Sequence, residues 1–198
     1  GAIGRADVSS SELNAAQRVK GLVRNVELSP FSWGRWHGTS WAEDSLSQPF
    51  KQASQNKGVT VGSRYFALFK DQTEPVGLPF GMPVQYDFKL TQGQVHFIEK
   101  APKWVIPSIT PGTLKDGRLS VNFANQQIST YLNMSHPVGG NAVLDLTGTV
   151  DPRGIFTARD NTSMAAGALS QQGQHAGMLF ERSVENGAFH GISTWEKR

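Results

Sequence analysis

The stretch Val84-Gln85-Tyr86-Asp87-Phe88-Lys89-Leu90-Thr91 alternates apolar and polar residues without a break. Successive side chains of a β-strand point to opposite faces, so Val84, Tyr86, Phe88 and Leu90 share one face while Gln85, Asp87, Lys89 and Thr91 share the other. That is the pattern of a strand with one buried side. The same two-residue rhythm continues downstream. Leu119, Val121 and Phe123 oppose Ser120 and Asn122, and Ile128, Thr130, Leu132 and Met134 share a side of the next segment. Further strand-like runs occupy 32–38, 64–70, 142–150, 154–158, 166–171, 175–183 and 188–195, about ten short strands in all.

What separates them is turn chemistry: Asn125-Gln126, Gly139-Gly140-Asn141, Asp151-Pro152-Arg153-Gly154, Gln172-Gly173 and Glu185-Asn186-Gly187. Short links join antiparallel neighbours, so the last ninety or so residues read as a meander of hairpins. A long meander has to hide its edges, and closing on itself does so with the short connections available. The expected fold is all-β, an antiparallel up-and-down β-barrel of about eight strands; a sandwich, which needs longer crossovers, is the alternative. Gly34, Gly38, Gly148, Gly167, Gly177 and Gly191 fall inside the expected strands, where a small barrel bends sharply.

The first thirty residues have a different period. Ser9 and Glu12 have capping-box spacing, and Leu13, Ala16, Val19 and Val23 recur every three or four positions. This predicts a short N-terminal helix from about Ser10 to Lys20, within a lead-in of residues 1–29 ahead of a β-barrel domain at 30–198. Two segments, 41–60 and 98–117, read as long loops, the second holding Pro102, Pro107 and Pro111. Loops of that length usually have a role, which makes them the expected places of contact with another molecule.

Composition narrows the function. The 198 residues are 38% apolar and 18% charged, a globular and not a disordered balance. The 19 Lys and Arg exceed the 16 Asp and Glu by a formal charge of +3, but they are dispersed, so no nucleic-acid partner is expected. With no cysteine, disulfide scaffolds, thiol enzymes, zinc–thiolate sites and iron–sulfur clusters are excluded. No apolar run is long enough for a membrane helix. An envelope location would therefore require a signal or anchor outside the sequence shown.

Candidate reactive groups do not assemble into a motif. The histidines at 37, 96, 136, 175 and 190 match no H-x-H or H-E-x-x-H pattern, so no metal or cofactor is expected. His37 and His190, in the expected first and last strands, would approach each other if those strands closed a barrel. Asp87 and Asp145 could point into a cavity, but no spacing rule pairs them as glycosidase carboxylates, and exposure to solvent is the plainer reading. There is no G-x-S-x-G elbow, and no catalytic residue is assigned. The aromatic cluster is more informative. Trp33, Trp36 and Trp41 crowd around Arg35 and His37, and alternation puts Trp33, Arg35 and His37 on one face and Trp36 on the other. Such a group can stack on a ligand or a partner's side chain, or simply plug a barrel end. With Tyr65 and Tyr86, these residues form the expected ligand- or partner-binding set.

Several landmarks also resemble a known module: Trp33-Gly34-Arg35-Trp36, the Leu119-x-Val121-Asn122-Phe123 strand, and Gly167-Ala168-Leu169 followed by His175-Ala176-Gly177. In this order, over about Phe31 to Trp195, they resemble the C-terminal β-barrel module of FecR-like bacterial envelope proteins, which is similar to the barrel of the transferrin-binding protein B family. The resemblance implies a barrel in the periplasm or at the cell surface that is not an enzyme and acts in protein binding or FecR-type signal transfer. Two readings stay open on the residues. One is a packed barrel binding a protein partner through its loops. The other is a lipocalin-like carrier holding a small apolar or aromatic ligand against Trp33, Tyr65, Tyr86 and Phe88.

Overall fold

The computed structural model describes residues 77–102, 105, 107–170 and 172–198 with their side chains, and four earlier strands by their backbone. Those four are β1 (Ala16–Lys20), β2 (Phe31–Gly38), β3 (Val59–Gly62) and β4 (Tyr65–Phe69). They form an antiparallel sheet in the order β1-β2-β4-β3. Nine more strands follow: β5 (Gln85–Glu99), β6 (Ile109–Pro111), β7 (Thr113–Asn122), β8 (Gln127–His136), β9 (Gly140–Val150), β10 (Ile155–Arg159), β11 (Ser163–Leu169), β12 (His175–Val184) and β13 (Gly187–Lys197). Neighbours from β7 to β13 pair in chain order, β5 pairs β7, and β13 returns to pair β5 along Gly187–Lys197. The result is a closed, antiparallel eight-strand barrel, with β6 as an extra strand on β5.

The register also sets the barrel's girth. Paired residues lead from Gly148 through Ala158, Ala165, Phe180 and Gly191 to Val95. Val95 accepts the Gly112 N–H, and Gly112 adjoins the Thr113–Ser135 pair, so the circuit continues to His136 and Gly140. It returns to β9 eight residues from where it began. Eight strands staggered by eight residues are the proportions of a (β/α)8 barrel, whose interior is a packed core and not a pore. The side chains agree. Phe88, Phe97, Phe123, Phe156, Phe189 and Trp195 are each at most 1% exposed and belong to one contiguous apolar cluster drawn from all eight strands. Close packing also explains Gly148: a methyl group there would run into the Thr157 carbonyl and Ala158 of the neighbouring strand.

Three adjacent strands of the wall, β11 to β13, are buried on both faces over part of their length. On β12, Ala176, Met178 and Phe180 join the core, yet Leu179 between them is only 5% exposed. Ile192 on β13 and Ala168 on β11 are equally covered and lie outside the core cluster. The backbones of β3 and β4 run alongside β12, and β4 alongside β13, which lays the four-stranded sheet against this wall as a second layer.

Several expectations change. Among the described residues there is no helix, and Ala16–Lys20, within the expected N-terminal helix, is a strand paired with β2. The three-to-four spacing of Ala16 and Val19 is too short a signal to outweigh pairing with a neighbouring strand. The strands at 31–38 and 65–69 exist but are not barrel strands; the partner of the last strand is β5, so closure does not pair the strands of His37 and His190. The segment 98–117 is only partly loop, since it holds β6 and the first half of β7. Of the segment 41–60, residues 41–58 lie outside the described residues.

Candidate functional site

The expected binding set divides between the two sheets. Trp33, Arg35, Trp36 and His37 all stand on β2, where Arg35 is the register partner of Tyr65 on β4 and Trp33 the partner of Ala67. Trp36 and His37 are opposite Arg18 and Gln17 of β1. Trp41 lies outside the described residues. Tyr86 is elsewhere, on the first barrel strand near one end of the cylinder. Its ring meets Phe123 edge-on at 4.8 Å, and the Lys197 ammonium lies 3.3 Å from its centroid. Tyr86 and Phe88 do line the barrel, but Trp33 and Tyr65, the other two residues of the expected carrier wall, belong to the four-stranded sheet.

The opposite end of the barrel is a rim made of the segments after β5, β8, β10 and β12. His136, at the end of β8, organises it. Its Nδ1 accepts the N–H groups of Val138 and Gly139, each at 3.2 Å, so Nδ1 carries no proton. Nε2 is then the protonated nitrogen and donates to Thr110 Oγ1 at 2.8 Å, joining the β8–β9 turn to β6. The ring stacks on Phe97 at 4.6 Å between centroids. Next to it, the Lys100 N–H bonds the Asn186 carbonyl, tying the segment after β5 to the β12–β13 turn. Asp160 closes the β10–β11 turn by accepting from the backbone of Thr162 and Ser163 and from the Thr162 hydroxyl. The Thr162 N–H, foremost among these donors, holds the Asp160 carboxyl below the ordinary aspartate range. Arg182 reaches the same turn through the Thr162 and Ser163 hydroxyls. On this braced rim Val105 is 55% exposed and Val138 51% exposed. Sequence reasoning missed His136 as an organiser, and its one local sign is its place directly before Pro137-Val138-Gly139-Gly140.

Acid–base groups do not converge. Asp87 and Asp145 are both exposed, Asp145 on the outer side of a wall whose flanking Leu144 and Leu146 point inward. His190 lies 3.6 Å from Glu181 on the covered outer wall, and His96 is its register partner on β5. Among the described residues no three His, Cys, Asp or Glu side chains are grouped to hold a metal ion. No described helix is long and apolar enough to cross a membrane.

No protein-family model matches the chain, and no curated protein matches it. Solved structures do. A double mutant of transferrin binding protein B, a vaccine antigen from Haemophilus parasuis Hp5, superposes with a TM-score of 0.51 at 11% identity, covering 86% of this chain and 33% of that one. A surface lipoprotein gives a TM-score of 0.50 at 8% identity, covering 100% of this chain and 88% of that one. Intact Ap-TbpB, with its N and C lobes, gives 0.50 at 12% identity, covering 92% of this chain and 38% of that one. The chain thus spans about a third of the length of the transferrin binding proteins it matches. At these identities the likeness is one of fold, and the fold is the transferrin-binding-protein-B-like barrel.

Proposed function

We propose that this chain is a non-catalytic, cell-surface binding module that engages a protein partner through the braced rim of its barrel. The observation that carries the reading is the filled interior. One apolar cluster drawn from all eight strands occupies the space a carrier would give to its ligand, which leaves the outside of the molecule for recognition. The rim supports this reading, because exposed Val105 and Val138 stand on turns held by His136 and by the Lys100–Asn186 bond. Recognition by rigid turns loses less entropy on binding than recognition by mobile ones. The neighbours' names, transferrin binding protein and surface lipoprotein, favour a protein partner and a surface location. FecR-type signal transfer, the finer expectation from the resemblance, has no support in these structures. On the other sheet, Arg35 at the register position opposite Tyr65 supplies a second contact.

A photo-crosslinking residue at Val138, compared with one at Met82 on the far end, tests the reading on cells that make the protein. Crosslinks to one protein from position 138 and none from position 82 are expected. Equal capture from both, or none from either, would count against the rim. Saturable uptake of one apolar fluorophore per chain would instead favour the carrier.

A further inference from the structure

Much of β9 has an edge that no described strand pairs. On the β10 side, β9 is paired only at Gly148, Thr149 and Val150, because β10 and β11 form a short hairpin. On its other side β9 pairs β8 without a register shift from Gly140 to Thr149. The Val150 N–H bonds the Gln126 carbonyl on the β8 side, while the Asp151 N–H bonds the Ile155 carbonyl on the β10 side. Backbone groups of even-numbered residues in this regular strand therefore serve β8, and those of odd-numbered residues face the open side. Asn141, Val143 and Asp145 each present an N–H and a C=O there, and all three are exposed. Natural edges are usually blunted by proline, lysine or a bulge. The stretch from Gly140 to Thr147 has no proline or lysine, and its ladder to β8 is unbroken.

We propose that this edge is a homodimer contact, in which β9 of a second copy pairs antiparallel across a two-fold axis at Val143. The register follows from the side chains. With Val143 opposite its own copy, Asn141 lies opposite Asp145 of the other chain, and Asp145 opposite Asn141. The unpaired odd-numbered residues then exchange backbone hydrogen bonds, which a closed two-fold contact requires. Asn141 already accepts Lys115 Nζ on its Oδ1 at 2.9 Å, which leaves its amide N–H groups to donate to a carboxylate. Asp145 has no hydrogen-bond or ion-pair partner among the described residues and can accept them. Val143, 42% exposed, is covered by its counterpart. Any other two-fold register within the stretch loses the Asn–Asp match. The contact is independent of the rim reading and stands whether or not the rim binds a protein.

Sedimentation velocity on the full chain over a dilution series, from millimolar to micromolar, reads the association directly. A concentration-dependent dimer is expected. Asn141→Asp sets two carboxylates against each other at both ends of the contact and weakens association roughly tenfold or more. The exchange Asn141→Asp with Asp145→Asn restores the match and the dimer. Val143→Pro removes an outward N–H without touching the β8 ladder, and abolishes the dimer while leaving a folded monomer by circular dichroism. A chain that stays monomeric throughout, a dimer indifferent to Asn141→Asp and Val143→Pro, or an exchange that fails to restore association would each overturn the proposal.

Discussion

On β9, Ala142, Leu144 and Leu146 are buried and the residues between them are in water; on β12 a run of five, Ala176 to Phe180, is buried without a gap. Both strands belong to the same cylinder and present the same kind of side chain to its core. The difference lies outside: β9 faces solvent, while β12 and its neighbours carry a second sheet. The period of a strand thus reports how many of its faces are covered. Where two faces are covered, the alternation fades into a near-continuous apolar run.

The comparison can be broken first at what the two regions share. Trp195→Ala removes the largest core side chain and the hydrogen bond of its Nε1 to Ser193. It is expected to cost about 3–5 kcal/mol in denaturant unfolding. The sharper contrast is between the two outer faces. Ile192→Ala, on the covered wall at 1% exposure, is expected to cost about 2–4 kcal/mol. Val143→Ala on the open wall is expected to cost within about 0.5 kcal/mol. Equal costs would mean that the second sheet does not pack on the barrel.

At the rim the effects are smaller. His136→Ala leaves the Val138 and Gly139 N–H groups without their acceptor and is expected to cost about 1–3 kcal/mol, with faster amide exchange confined to the β8–β9 turn. The smallest change is at Asp160. A carboxyl held below its ordinary value in the folded chain stabilises the β10–β11 turn at pH values above the aspartate range, and that contribution fades as the pH falls through the folded value. The amide resonances of Thr162 and Ser163 are expected to titrate together below the ordinary aspartate range, and to lose that titration in Asp160→Asn.

The meander from Val84 to Trp195 was legible in the sequence because each strand has a buried face and each turn its own chemistry. RLSVNFA and ISTYLNM bury every residue that the alternation assigns inward, Thr130 included, while VQYDFKLT buries Phe88 and half-buries Val84, Tyr86 and Leu90 on the same face. Which strand closes the cylinder was not legible. The strand at 31–38 carries the same local signals as a barrel strand, and nothing local to Trp33 or His37 says that their strand pairs β1 and β4 and not β13. β6 and β1 are too short for a periodic signal, and β6 is a strand only because β5 extends past the end of β7's pairing to meet it. The role of His136 depends on Thr110, Phe97 and the turn amides meeting around one ring, a coincidence of three strands that no sequence spacing records.

Closure of the barrel by β13 on β5 is the claim on which the packed interior and the rim depend, and the absence of native cysteine makes it directly measurable. Ile98 and Ala188 are register partners across that seam, at a separation a disulfide can span. In the double variant Ile98→Cys with Ala188→Cys, mild oxidation should join the two thiols within one chain, recovered as a single linked peptide pair with no free thiol. Two cysteines that remain free under the same oxidation, in a chain that is folded by circular dichroism, would contradict the closed barrel.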